Sequence, residues 1–282
     1  MTEPTLYPES GFLRLRLDLA YDGTSFFGWG KQPDRRTVQE VVEKAIGTVT
    51  QSKIDSIVAG RTDAGVHATA QVMHVDVPKT ADDIPNWVFR LNRILDPDIR
   101  ILKVSTVTDE FHARFSAVER EYQYRLADNN QILLPLERYN TATWFRALDV
   151  DRLNEASSLL LGEHDFVAFC KFREDQKTVR TLKKFHWSRL DSGILVADVA
   201  ANAFCYSMVR NLVGAVVCVA DGRKEPQWMA ELLANKERVS DSLVFPARGL
   251  TLYQVDYPSD DQLLERAKIT VSKRGQGLNE AD

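Results

Sequence analysis

An α+β fold made of two similar halves is predicted by three observations. Short runs alternate apolar and polar residues, stripes at helical spacing separate those runs, and the grammar of the first half returns in the second. In the first half the order is β-α-β-β-α-β, the split βαβ of ferredoxin-like folds, with antiparallel or mixed sheets expected.

The run "FLRLRLDLAYDG" sets Leu13, Leu15, Leu17 and Leu19 on one face and Arg14, Arg16 and Asp18 on the other, a half-buried strand ended by Asp22-Gly23. In "RTVQEVVEKAIGTV", Thr37 and Glu40 are placed as a capping box, and Val38, Val41, Val42, Ala45, Ile46 and Val49 share one helical stripe. "DSIVAG" and "AQVMHVDV" read as strands, "IPNWVFRLNRIL" as a helix and "IRILKVSTV" as a strand. The second half offers "EYQYRLA" as a strand, "VDRLNEASSLLLG" as a helix, and "KKFHWSRL" and "ILVADVAA" as strands. A long helix in "FCYSMVRNLVGAVVCVADG", a short one in "EPQWMAELLAN" and a closing strand in "GLTLYQVDYP" complete it. The expected division is a tail over 1–11, one α/β domain over 12–110, a second over 111–258, and a polar tail over 259–282 whose last dozen residues fray.

With 44% hydrophobic and 27% charged residues, the 282-residue chain has the composition of a globular protein. Its longest apolar run of note, "LVGAVVCVA", is far short of the roughly 20 residues that span a bilayer. Neither a signal peptide nor a disulfide framework is expected: Cys170, Cys205 and Cys218 are odd in number and widely spaced, and free thiols in a cytoplasmic protein are the simplest reading. A net charge of −4 argues against a surface coated for nucleic acid. One segment departs from it: residues 171–189 hold seven Lys or Arg against two acids, suiting either a solvated face or phosphate contacts.

Five scattered histidines make no metal-ligand spacing, and neither a phosphate-cradling glycine loop nor a Ser or Cys nucleophile motif occurs, so no metal and no cofactor are expected. What stands out is "AGRTDAGVHA", where Gly60 and Gly65 bracket Arg61, Thr62 and Asp63. A guanidinium beside a carboxylate holds it ionised and oriented. An ionised Asp suits a nucleophile, a base, or a stabiliser of positive charge at a sugar C1′. Hydrolysis of a glycosidic bond would ordinarily call for a second carboxylate, and no partner stands in a comparable loop. Read alone, the same two side chains also suit an ion pair pinning a turn, the lesser of the two readings.

"GRTDAGVHA" resembles the signature of the TruA family of tRNA pseudouridine synthases. "YDGTSFFGW", "QPDRRTVQEVVEKA", "FHARFSAVEREYQYR", "HDFVAFC", "NAFCYSMVRNLVG" and "FPARGLTL" follow in the order of that family's blocks, over residues 12–258. The resemblance implies the pseudouridine synthase fold with a central active-site cleft, and isomerisation of uridine at tRNA positions 38, 39 and 40 by a cytoplasmic homodimer. It implies Asp63 as the catalytic carboxylate, Arg61 as its partner and an aid to holding the nucleotide flipped out, and Tyr122 against the uracil face with a share in removing the C5 proton. Arg210 is implied at the active site near the catalytic Asp, and Leu250 packed on the base. For the RNA backbone, Arg14, Arg16, Arg35, Arg36, Lys177, Arg180, Lys183 and Lys184 are the candidate phosphate contacts. Two positions depart from the family pattern: Gly30 stands where Gln is usual, and Ser207 where His is usual. The competing readings are a silent RNA-binding module on the same fold, and an RNA N-glycosidase.

Overall fold

The computed structural model describes residues 7–129, 131–171, 177–235 and 244–275. The chain divides into two compact units, Met1–Val118 with Gln254–Asp282, and Glu119–Tyr253.

In the first unit β1 (Phe12–Tyr21), α1 (Val38–Thr50), β2 (Ser56–Val58), β3 (His67–Pro78), α2 (Trp87–Ile94) and β4 (Ile99–Thr106) follow the predicted order. The strands lie in the order β4–β1–β3–β2, every neighbouring pair antiparallel. β1 and β2 therefore run the same way with β3 between them, which is the split βαβ. The alternation of β1 works as read on one face: Leu13, Leu15, Leu17 and Leu19 are all buried. On the other face Arg14 is buried as well, at 1% exposure. The segment after β4 folds under it, and Arg14 donates to the carbonyls of Asp109 and Phe111, both at 2.9 Å.

Two local expectations are corrected. The Thr37–Glu40 capping box does not form, because Thr37 makes no side-chain cap. The first-turn N–H groups of Val38 and Gln39 instead donate to the carbonyls of Gly28 and Trp29, at 3.2 and 3.0 Å, so α1 is capped by tertiary structure. Residues after Pro258 also hold more order than their composition suggests. A helix, α6 (Leu263–Gly275), buries Leu263 and Ala267 and docks on the first unit through Thr270 Oγ1, which donates to the Phe115 carbonyl at 2.9 Å. The expected fraying falls partly on 276–282, outside the described residues.

His74 on β3 is buried, its Nδ1 accepting the Ala113 N–H at 3.0 Å and its ring 5.0 Å from that of His112. Burial, then the charge of Arg14 and that of His112, hold its pKa well below the ordinary 6.5. The unfolded chain takes up this proton first as pH falls, so His74 favours the fold above pH 6.5 and loses that contribution below it. We expect the melting temperature to drop between pH 7 and pH 5, and to drop less in His74→Asn; equal slopes for the two proteins would refute this.

The second unit comprises β5 (Glu119–Ala127), β6 (Ala142–Thr143), α3 (Val150–Ser158), β7 (Gly162–Asp165), β8 (Val179–Arg189), β9 (Leu195–Ala201), α4 (Met208–Ala220), α5 (Gln227–Ala234) and the start of β10 (Leu250–Asp256). The order β10–β5–β9–β8 repeats that of the first unit's four strands, with β7 added at the edge and β6 parallel beside β5. α4 forms the core: every residue from Met208 to Ala220 is buried except Arg210. The cysteine expectation is corrected here. Cys170 and Cys205, 35 residues apart, are joined as a disulfide, and Cys218 is buried outside it. Spacing along the chain hid a pair that the fold brings to a Cα–Cα distance of 5.7 Å.

Candidate active site

The "GRTDAG" loop joins β2 to β3, and each of its turns is fastened. The Ala59 N–H donates to the Val72 carbonyl at 2.8 Å, closing its entrance, and the Val66 N–H donates to the Asp63 carbonyl at 3.2 Å. Gln71 Nε2 donates to the Gly60 carbonyl at 2.9 Å and to the Tyr21 hydroxyl at 3.2 Å. Thr62 points inward, 7% exposed, with its hydroxyl 2.8 Å from that of Tyr21. Burial pushes the Tyr21 phenol up to about 12 despite these hydrogen bonds, so it stays a neutral anchor near neutral pH.

A second strand of chain holds the loop from the side. The Trp29 N–H donates to the Thr62 carbonyl at 3.1 Å and the Gly65 N–H to the Phe26 carbonyl at 3.2 Å, so residues 26–29 run along residues 62–65. Gly28 makes this possible. Its φ is +88°, and a Cβ there would stand 2.8 Å from the Thr62 carbonyl oxygen. With Thr62 turned inward, Asp63 is left half-buried and Arg61 exposed.

The expected Arg61–Asp63 ion pair is not formed. Among the described residues Arg61 makes no ion pair, and its stem passes Gly30 close enough that a Cβ there would lie 3.7 Å from its Nε. The bend that buries Thr62 parts its two neighbours, which excludes a salt bridge pinning the turn.

Tyr122, Arg210 and Leu250 belong to the second unit. Tyr122 lies on β5 opposite Val199, 7% exposed, with its ring edge-on to Phe204 at 5.2 Å. Tyr124, two residues on, is wholly buried; its hydroxyl donates to the Pro246 carbonyl at 2.8 Å, and burial drives its pKa far up. Arg210 is half-buried in the first turn of α4, its Nε donating to the Phe245 carbonyl at 2.7 Å. Asn211 ties the same turn down, its Nδ2 donating to the carbonyls of Phe169 and Ser207 at 2.8 and 3.1 Å. Ser207 itself sits at φ 59° on the threshold of α4. Leu250 is buried at the start of β10.

The basic residues divide sharply. Arg14 is corrected outright: buried and bound in a two-pronged pair with Asp76, both contacts 2.8 Å, it has no face for a phosphate. Arg16 pairs with Asp18 at 2.8 Å and lies over the rings of Phe111 and Tyr257. Arg36 pairs with Asp96 and Asp98, Lys183 with Glu119, and Lys184 with Glu121 and Asp198. Arg180 donates to the carbonyls of Val179 and Lys177, and Lys177 is half-buried. Arg35 is exposed, its guanidinium carbon 4.5 Å from the centre of the Phe27 ring. Five of these eight cations are thus met by acids of the same unit. Tyr21 and Gln71, which fasten the loop at Thr62 and Gly60, escaped sequence reading because each looks like ordinary strand material; only the cluster of hydroxyls and amides gives them away.

A mixed α+β chain with a constrained carboxylate loop and no metal-ligand cluster among the described residues matches a known class. The family model for tRNA pseudouridine synthases matches residues 19–116 and 156–258. Relatives curated as tRNA pseudouridine synthase A include one from Frankia casuarinae, 49% identical over 94% of this chain and 96% of the relative. One from Streptomyces griseus is 48% identical over 92% and 93%, and one from Cutibacterium acnes 49% identical over 93% and 95%. The chain belongs to the tRNA pseudouridine synthase family, an isomerase family.

Proposed function

We propose that this chain converts uridine to pseudouridine at positions 38, 39 and 40 of the tRNA anticodon arm, with Asp63 as the catalytic carboxylate. The reaction detaches uracil from its ribose at N1, turns it and rejoins it through C5, so no redox partner is consumed. The observation that carries this reading is the Asp63 loop: half-open, fastened on both sides, and matched by the family model. A carboxylate so held is placed to act on C1′, on the base, or on the 2′ proton. The target must leave the stack first, at a cost of a few kcal/mol. Arg61, exposed and without an acid partner among the described residues, is suited to holding the extruded nucleotide by its phosphate or in the vacated stack. Tyr122 supplies a ring face for the uracil, Leu250 an apolar wall, and Arg210, anchored at Phe245, a charge for a carboxylate or phosphate. Phosphate contacts fall to Arg35, which makes no ion pair among the described residues, before Lys177, Arg180 and the cations paired above. A homodimer in the cytoplasm completes the proposal; no helix among the described residues is long and apolar enough to cross a membrane.

The test is tritium release from tRNA transcripts labelled at uridine C5. Release should require U38, U39 or U40, and transcripts lacking all three should be inert. Release from other sites would overturn the positional reading, and free uracil in the medium would make the protein an N-glycosidase.

A further inference from the structure

Phe27 is a large apolar ring held 44% exposed beside the Asp63 loop. Single exposed aromatics are common and need no explanation, but three features set this one apart. First, its backbone is locked from both ends: its N–H donates to the Arg36 carbonyl at 3.0 Å, and its carbonyl accepts from Gln32 Nε2 at 2.7 Å. Second, the residues bonded to the Asp63 loop flank it, Phe26 just before it to Gly65 and Trp29 two residues on to Thr62. Phe26 and Trp29 are buried, so Phe27 is the large side chain of residues 26–29 that faces solvent where they run along the Asp63 loop. Third, Arg35 holds its guanidinium carbon 4.5 Å from the ring centre and makes no ion pair among the described residues. The turn that returns Arg35 there is itself fixed, with Asp34 at φ 56° and Gln32 bridged to Arg35.

A fixed aromatic face with an unneutralised cation at its side is the chemistry that takes one nucleotide: base on ring, phosphate on guanidinium. Extrusion of the target uridine strips its neighbours of one stacking partner, which leaves a base in want of such a face. We infer that Phe27 and Arg35 form a stacking platform for a nucleotide flanking the uridine acted on at Asp63. This rests on the assignment of Asp63 as the catalytic carboxylate. On that basis Phe27 and Arg35 are positioning residues for the substrate and take no part in bond changes.

The experiment places 2-aminopurine in tRNA transcripts at the nucleotide on either side of the target and follows its fluorescence on binding. Wild-type protein should quench the probe at one flank; Phe27→Tyr should keep the quench; Phe27→Ala and Phe27→Leu should lose it. Both losing variants should weaken tRNA binding by about 5- to 100-fold, as expected for one lost base–aromatic stack, with the cost in KM rather than kcat. Arg35→Ala should lower the slope of log affinity against log salt by about 0.7, the contribution of one single-strand phosphate. Phe27→Leu preserves apolar bulk, so a quench surviving in it or in Phe27→Ala overturns the platform. Asp63→Asn separates the two readings. If it still turns over, the Asp63 assignment falls while the quench result stands; if it is inactive yet quenches as wild type does, both readings stand.

Discussion

Asp63→Asn should bind tRNA with unchanged affinity and form pseudouridine about 10³-fold more slowly, or not at all. The scale follows from removing a group that acts in the transition state and contributes little to holding the substrate. The substitution keeps the size and shape of the side chain, and the loop has fastenings that do not use the carboxylate. Its fastenings are main-chain bonds to Val72, Phe26 and Trp29 and the buried Thr62 hydroxyl. A polyanionic substrate gains nothing from a negative charge in the wall of its site, so affinity should hold while turnover collapses. Single-turnover conversion and filter-binding affinity, measured on the same preparation, make the comparison. More than about a tenth of wild-type rate in the variant would remove Asp63 from the chemistry. A parallel fall in affinity would instead mark the residue as part of the loop's architecture.

What was legible in the sequence was what depends on neighbours. Alternation in "FLRLRLDLAY" and the apolar run of "MVRNLVGAVVCVA" report burial directly, so the strands and the core helix were readable one by one. The repetition of β-α-β-β-α-β was readable too, although the shared strand order was not, since pairing is a property of distant residues. The same limit explains the errors. Arg14 looks like a solvent-facing cation until Asp76, 62 residues on, and the carbonyls of Asp109 and Phe111 close around it. Thr37 carries the grammar of a cap, yet the fold supplies Gly28 and Trp29 carbonyls first. The polar tail conceals α6 because burying Leu263 and Ala267, four residues apart, takes only one narrow stripe. In the candidate site the loop announced itself through its glycines. The parting of Arg61 from Asp63 did not, because it follows from which way Thr62 turns, and Tyr21 and Gln71 decide that from other strands.

Gly28→Ala should damage the site without touching any reacting group. At φ +88° an alanine is strained wherever it sits, and here its methyl would meet the Thr62 carbonyl oxygen at 2.8 Å, the Ala64 nitrogen at 3.1 Å and the Asp63 carbonyl carbon at 3.2 Å. All three are main-chain atoms of the Asp63 loop, so none can swing aside as a side-chain tip would. Relief requires residues 26–29 and 62–65 to separate, which stretches the Trp29–Thr62 bond and drags on α1, whose first turn hangs from the Gly28 and Trp29 carbonyls. We expect a loss of about 2–4 kcal/mol in stability, read from urea unfolding. Well below the melting point, where the variant is still folded, kcat should fall about 100-fold, because a displacement near 1 Å is enough to spoil a positioned group. Gly60→Ala is the matched control within the same loop: a Cβ there meets nothing within 4 Å, so stability and rate should both stay close to wild type. If Gly28→Ala turns over as fast as Gly60→Ala, the packing of residues 26–29 on the loop is not what aims Asp63, and the carboxylate must be held by the far side of its turn alone.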